Sequence, residues 1–276
     1  MKAGPEDFLG RFREVIADPL NLLIERVPLA GTIQGSETYL HNGNIVPIVG
    51  NDAYYGPFSQ LLVINRGVHE PLEEYVFQEL MRKIPEAPAM IELGAYWAHY
   101  SMWLKKVRPK STVILVEPEQ ANLAVGMRNF QRNGFAGEFI GAYVGRGQFE
   151  VDAFLRSRSL AHLDILHVDI QGNEGQMLEG AQASLAEKRI DYLFVSTHSQ
   201  ELHAHVAGEL RRFGYRVEVS SDFDHETTSY DGFVFASSPE APCVFDRLMP
   251  LGRAQIEQAQ PDQLLQALNT IKRSTI

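Results

Sequence analysis

From Ala89 onward the chain alternates short apolar runs with amphipathic segments in a regular beat. Strands are expected at 89–93, 113–117, 138–143, 164–169, 191–197, 215–220 and 232–237, and helices at about 99–107, 119–133, 174–187 and 201–213. Strands that alternate with helices can bury their apolar faces only in a mostly parallel sheet covered on both sides, so a doubly wound α/β fold with seven strands is predicted. The last two strands are separated by a loop, 221–231, with no helix, which allows that pair to be antiparallel.

The first unit of this pattern carries the strongest chemical signal. Ala-Met-Ile-Glu-Leu-Gly-Ala-Tyr-Trp-Ala-His-Tyr-Ser (89–101) reads as strand, tight turn and helix. Gly94 permits a sharp turn and a close approach to a ligand, and a helix start offers N–H groups to an anionic group. A dinucleotide fingerprint places a second glycine two positions after the first, where this chain has Tyr96, so a pyrophosphate is disfavoured. S-adenosylmethionine has no phosphate and needs one close approach and one acid for its ribose. Glu117, in Val-Ile-Leu-Val-Glu-Pro-Glu (113–119), closes the next apolar run 23 residues after Gly94, near the spacing of a ribose-binding acid. On the residues alone it is such an acid or a turn residue before Pro118.

Composition narrows the class further. The 276 residues are 45% hydrophobic, enough for a sizeable core, and carry a net charge of −10 with no long basic run, so a phosphate backbone is repelled and nucleic acid is not an expected partner. One cysteine, Cys243, excludes an internal disulfide framework and a multi-cysteine zinc site. No apolar run reaches the ~18 residues of a membrane span, and no leader pattern opens the chain; a cytoplasmic protein with no membrane partner is expected.

Before the alternating region, residues 6–28 show helical spacing of Phe8, Leu9, Phe12, Val15, Ile16, Leu20, Leu23 and Ile24, interrupted at Pro19. Asn42-Gly43 between two short apolar runs signals a β-hairpin. The segment 51–58, rich in glycine, proline and tyrosine, is a surface connection or a cover over a pocket. A helix is predicted from about 70 to 84, with Pro71 in its first turn, and another from Pro261 to Lys272. Residues 1–87 are thus expected to form an extension that covers substrate or contacts a second subunit in a homodimer, 88–240 the ligand-binding domain, and 241–276 a helical tail.

Three motifs now accumulate: Ile91-Glu92-Leu93-Gly94-Ala95 with Ser101 at the helix start; Val116-Glu117-Pro118 followed by Asn122, Asn129 and Asn133; and Leu163-Asp164-Ile165-Leu166-His167-Val168-Asp169-Ile170-Gln171-Gly172-Asn173-Glu174, continuing to Leu178-Glu179-Gly180-Ala181. Through them residues 88–237 resemble the class I S-adenosylmethionine methyltransferases, and within these the FkbM family of O-methyltransferases. The family usually has glycine where this chain has Ala98, and often valine and glutamate where Ile170 and Gln171 stand.

The resemblance implies that Glu92, Gly94, Ala95 and Ser101 hold the methionine end of the cofactor. Glu117, Pro118 and Glu119 would hold the ribose, Ala142 and Tyr143 the adenine, and Asp169 would lie near the sulfonium or the acceptor. Methyl transfer then requires a base for the acceptor hydroxyl. His198, closing the strand Phe194-Val195-Ser196-Thr197-His198, is the first candidate, with Asp169; His225, in a loop shared with Tyr230, is the third. Asp169, Glu174 and His198 are donor types that a divalent metal also accepts, which leaves a metal-assisted mechanism open but less favoured than a metal-free one. His203 and His205, two apart on one helix, cannot face one another.

The activity expected is S-adenosylmethionine-dependent O-methylation of a small hydroxylated molecule, a sugar or secondary metabolite. An alternative, motivated by Ala98 and Gln171, is a catalytically weak cofactor-binding module or partner subunit. A nicotinamide oxidoreductase ranks below both because of Tyr96.

Overall fold

A computed structural model describes residues 5–228 and 231–276. Helix α1 (Pro5–Ala17) is followed by a 3-10 turn (Pro19–Leu22), the break expected at Pro19, where the buried Asp18 side chain accepts the Leu20 N–H at 2.8 Å. Strands β1 (Ile33–Gln34), β2 (Glu37–Tyr39) and β3 (Ile45–Pro47) form a small antiparallel sheet, with the expected Asn42-Gly43 turn between the last two. A 3-10 turn (Gly56–Ser59) leads into α2 (Gln60–Ile64). Helix α3 (Pro71–Leu80) carries proline in its first turn, as its start requires.

The main domain then alternates β4 (Ala89–Leu93), α4 (His99–Val107), β5 (Thr112–Val116), α5 (Gln120–Arg132), β6 (Glu138–Ile140), α6 (Val151–Ser157), β7 (Leu163–Val168), α7 (Glu174–Glu179), α8 (Gln182–Ala186), β8 (Ile190–Thr197), α9 (Gln200–Arg212), β9 (Arg216–Ser221) and β10 (Gly232–Ser237). Helices α10 (Arg253–Gln258) and α11 (Pro261–Ser274) close the chain. The seven strands lie in the order β6-β5-β4-β7-β8-β10-β9; β10 runs antiparallel to both its neighbours, and the rest are parallel. This is the doubly wound α/β fold that the alternation predicts, and its strand order reverses beside β4.

Two local differences have physical causes. The helix expected over 174–187 is two helices, because Gly180 lies against Glu150, where a Cβ would come within 3.3 Å of the Glu150 Cα, and Asp152 caps the second piece by accepting the Ala183 and Ser184 N–H groups at 2.8 Å each. Helix α6 is not visible in the sequence, since its seven residues span only two turns of apolar periodicity.

Successive strand residues feed two cores, as the pleat requires. Met90, Leu115, Ile165, Phe194 and Phe235 face α3, α4, α5 and the N-terminal segment, while Ile91, Val116, Leu166, Val195 and Val234 face α6 to α9. The N-terminal segment is therefore part of the first core. Asn133 ties β3 to the domain: its Oδ1 accepts the Ile45 N–H at 2.8 Å and its Nδ2 donates to the Ile45 carbonyl at 2.9 Å. Among the described residues, no helix is long and apolar enough to cross a membrane.

Candidate functional site

At the carboxyl ends of the parallel strands, two adjoining cavities share Tyr55, Gly94, Tyr96, Asp169 and Gln171. The smaller, about 470 Å³, is lined by Gly94 and Tyr96 after β4, Glu117, Pro118 and Glu119 after β5, Asn122 of α5, Tyr143 and Val144 after β6, and Asp169, Ile170 and Asn173 after β7. The larger, about 1030 Å³, extends under the N-terminal segment. Strand tips beside the order reversal are where such sheets leave room for a ligand.

The turn after β4 owes its shape to packing as well as to any ligand. Gly94 has φ +79°, and a Cβ there would lie 1.7 Å from the Asp169 carbonyl oxygen, so only glycine lets β4 and β7 end side by side. Tyr96 and Ala98 are also left-handed, at φ +41° and +68°. Ala98 stands where the resembled family has glycine, and its conformation is one that glycine adopts without strain. Asn129 braces the turn by donating to the Trp97 carbonyl at 3.1 Å.

Glu117 joins the two turns that face the smaller cavity. Its Oε2 accepts the Tyr96 N–H at 3.1 Å and its Oε1 accepts the Glu119 N–H at 3.0 Å. Burial raises its pKa, partly offset by these N–H donors. Tyr143 is half exposed at the mouth and donates to Glu119 at 3.2 Å.

The expected cofactor residues therefore divide. Glu117, Pro118, Glu119 and Tyr143 line only the smaller cavity, Glu92 and Ala95 only the larger one, and Gly94 and Asp169 line both. Ser101 is fully buried and lines neither, and its N–H donates to Glu92 Oε2 at 3.1 Å. The start of α4, expected to hold the ligand, is thus capped from within by the buried Glu92. Ala142 also lines neither cavity and packs in the second core.

His198 stands at the centre of a carboxylate cluster in the larger cavity. Its Nδ1 is 2.8 Å from Glu174 Oε1, and its Nε2 is 3.3 Å from Asp169 Oδ1 and 3.6 Å from Asp231 Oδ1. Burial pulls its pKa down, but the hydrogen bonds to Asp169 and Glu174 and the charge of Asp231 outweigh it and raise it to about 10. The imidazole is held protonated at neutral pH. Asp169 is lowered because its ion pair with His198 overcomes burial, whereas Asp231, partly buried beside Asp169, is pushed up to about 7. The same oxygen and nitrogen atoms of Asp169, His198 and Asp231, all within 4.8 Å of one another, are also a donor set for a divalent cation.

Asp231 was invisible in the sequence reading because it lies in a loop, outside any motif, and reaches the cluster only when β10 pairs with β8. His225 is not brought in. Its side chain is 86% exposed, and its Nδ1 is 2.6 Å from Asp222 on the same loop, which holds it away from the cavity. Tyr230 lies outside the described residues. His203 sits between Thr197 and Ser220, at 3.0 and 2.9 Å, apart from His198.

The far wall of the larger cavity comes from the N-terminal segment. Tyr54 and Tyr55 from the tyrosine-rich segment line it with Arg11, whose guanidinium donates to Glu70 at 3.3 Å. His167 Nε2 is 2.6 Å from Glu73, and Tyr100 donates to Glu70 at 3.0 Å. Among the described residues the lining holds five carboxylates, Glu70, Glu73, Glu92, Asp169 and Asp231, with the guanidinium of Arg11 and the imidazoles of His69, His99, His167 and His198.

Residues 123–217 match the family model described as Methyltransferase FkbM domain. Among curated proteins, none matches the chain. Similar solved structures include the precorrin-6y C5,15-methyltransferase from Geobacter metallireducens GS-15, at 15% identity over 60% of this chain and 86% of that one, with TM-score 0.43. The O-methyltransferase from Bacillus cereus in complex with SAH is 14% identical over 62% and 82%, with TM-score 0.43. M. capricolum TrmK, in complex with S-adenosyl-homocysteine, is 13% identical over 71% and 93%, with TM-score 0.43.

Proposed function

We propose that this chain, whose residues 123–217 match the FkbM methyltransferase domain model, is an S-adenosylmethionine-dependent methyltransferase that methylates a hydroxyl group of a small molecule held in the larger cavity. The observation that carries the proposal is the position of the Asp169–His198–Asp231 cluster: Asp169 borders both cavities, and the other two residues line only the larger one.

The smaller cavity fits the cofactor in size and chemistry. Its volume is in the range of small-molecule sites, it has a carboxylate for ribose hydroxyls in Glu117, and Ile170 and Val144 give an apolar wall for a base. Bound there, S-adenosylmethionine supplies an electrophilic methyl group on a positively charged sulfur.

In this reading Asp231 removes the proton of the acceptor hydroxyl as its oxygen bonds to the methyl carbon and the carbon–sulfur bond breaks. A base is most effective when its pKa lies near the working pH, and Asp231, at about 7, meets that condition. His198 keeps its proton and fixes Asp169 and Asp231 in place, with Glu174 orienting the ring from behind. The aromatic rings of Tyr54, Tyr55, Trp97 and Tyr100 exclude water and give the acceptor flat apolar contacts.

A small acceptor is favoured over a nucleic acid because the lining is rich in carboxylates and the chain carries a net charge of −10. The test is transfer of a labelled methyl group to a panel of hydroxylated sugars and phenols, with amine and RNA acceptors as comparisons. Transfer to oxygen, reduced by Asp231→Asn, supports the proposal. Transfer only to nitrogen or RNA refutes it.

We further propose a homodimer in which α1 takes part, since Leu9, Ile16 and Leu22 are exposed apolar residues on or beside that helix. A monomeric mass by light scattering would rule this out.

A further inference from the structure

A second group of titratable side chains, which reaches the wall of the larger cavity through His99, takes no part in the proposed chemistry. His41 follows β2, Glu74 lies on α3, and His99 opens α4; the three are 1%, 0% and 2% exposed. We propose that His41, Glu74 and His99 bind a transition-metal dication that fastens the N-terminal segment to the turn after β4.

The geometry is that of ligands waiting for a common partner. One ligating atom from each residue lies within 4.8 Å of the other two. His41 Nε2 is 3.0 Å from Glu74 Oε2, and His99 Nε2 is 3.8 Å from Glu74 Oε1. Ligands at ~2.1 Å from one metal stand roughly 3–4 Å apart, so a small inward shift closes the set. His41 Nε2 and Glu74 Oε2 face one another at 3.0 Å without a hydrogen bond between them, and neither ring nitrogen of the buried His99 has a hydrogen-bond partner. Buried polar atoms are rarely left without a hydrogen bond. One cation can take a ligand atom from each of His41, Glu74 and His99.

The surroundings hold the ligands in place. Glu74 Oε1 accepts the backbone N–H groups of His69 and Glu70 at 2.9 and 3.1 Å and lies 2.5 Å from His69 Nδ1, which fixes the carboxylate toward His41 and His99. Trp97 stacks on His99 with ring centroids 5.1 Å apart, and Trp103 meets His41 edge-on at 4.3 Å. Two imidazoles and one carboxylate suit zinc, cobalt or nickel better than magnesium or calcium.

The experiment strips the full-length protein with a chelator, loads it with Zn²⁺ or Co²⁺, removes excess metal by gel filtration and counts bound metal. X-ray absorption on the Zn²⁺-loaded wild type counts imidazole ligands. Expected are one retained equivalent, two imidazole nitrogens in its shell, visible Co²⁺ bands, a higher Tm on loading, loss of the equivalent in His41→Gln and its retention in Asp231→Asn. No retained equivalent, or a shell with fewer than two imidazoles, overturns the proposal. Loss in Asp231→Asn with retention in His41→Gln also overturns it, placing the ion at the Asp169 cluster. Should His41→Gln fail to fold, the wild-type ligand count decides.

Discussion

Gly94 and Asp169 meet where β4 and β7 end, so closely that a single added carbon on Gly94 would lie 1.7 Å from the Asp169 carbonyl oxygen. The turn that borders the smaller cavity and the acid that borders both are therefore one packed unit. Gly94→Ala is expected to cost about 3 kcal/mol or more, from the contact and from φ +79° together, and to abolish S-adenosylhomocysteine binding. Chemical denaturation with a parallel binding titration checks both; a variant of unchanged stability would mean that the strand tips are not so constrained.

Glu117→Gln tests the acid that joins the two turns. A carboxamide has one oxygen where the carboxylate offers two, so its NH2 group must face either the Tyr96 or the Glu119 N–H. The loss is about 1–3 kcal/mol, part of it in ligand affinity, and a rise in Kd for S-adenosylhomocysteine of roughly tenfold is expected. Isothermal titration calorimetry measures it.

Asp231 gives a pH signature. Its carboxyl, raised to about 7 by burial and Asp169, must be ionised to accept a proton, so kcat should rise with pH through about 7 and level off above it. Asp231→Asn should lower kcat by roughly 10²–10⁴-fold, with little change in KM for S-adenosylmethionine, and should remove that rising limb. A variant that keeps the limb would assign it to another group.

Stability carries the sign of His198. Its folded pKa, about 10, lies above the ordinary histidine value, so the protonated ring stabilises the fold fully below about pH 6.5, and that contribution disappears as pH rises toward about 10. Asp231 acts oppositely: its folded value exceeds the unfolded one, so it costs stability progressively between about pH 4 and 7. The difference in Tm between wild type and His198→Gln should therefore shrink between pH 7 and 10. A constant difference would contradict the ion-pair cluster.

The sheet was legible in the sequence because strand and helix periods alternate over long stretches, and the strand tips at Glu92, Glu117, Asp169 and His198 followed from it. What the periodicity could not show was contact across the chain. Asp231 and Arg11 reach the larger cavity from a loop and from the N-terminal helix, and no local pattern marks them. Nor could spacing reveal that Ser101, read as a ligand residue, spends its N–H on Glu92. The buried histidines were hidden for the same reason: His41, His69 and His99 meet around Glu74 only once the hairpin and α3 pack on α4.

The most direct test is a crystal structure with S-adenosylhomocysteine bound. The account predicts the ribose hydroxyls within hydrogen-bond reach of Glu117 and the sulfur at the junction beside Asp169, open toward Asp231. A nucleoside seated elsewhere, or a sulfur facing away from Asp169, would contradict it.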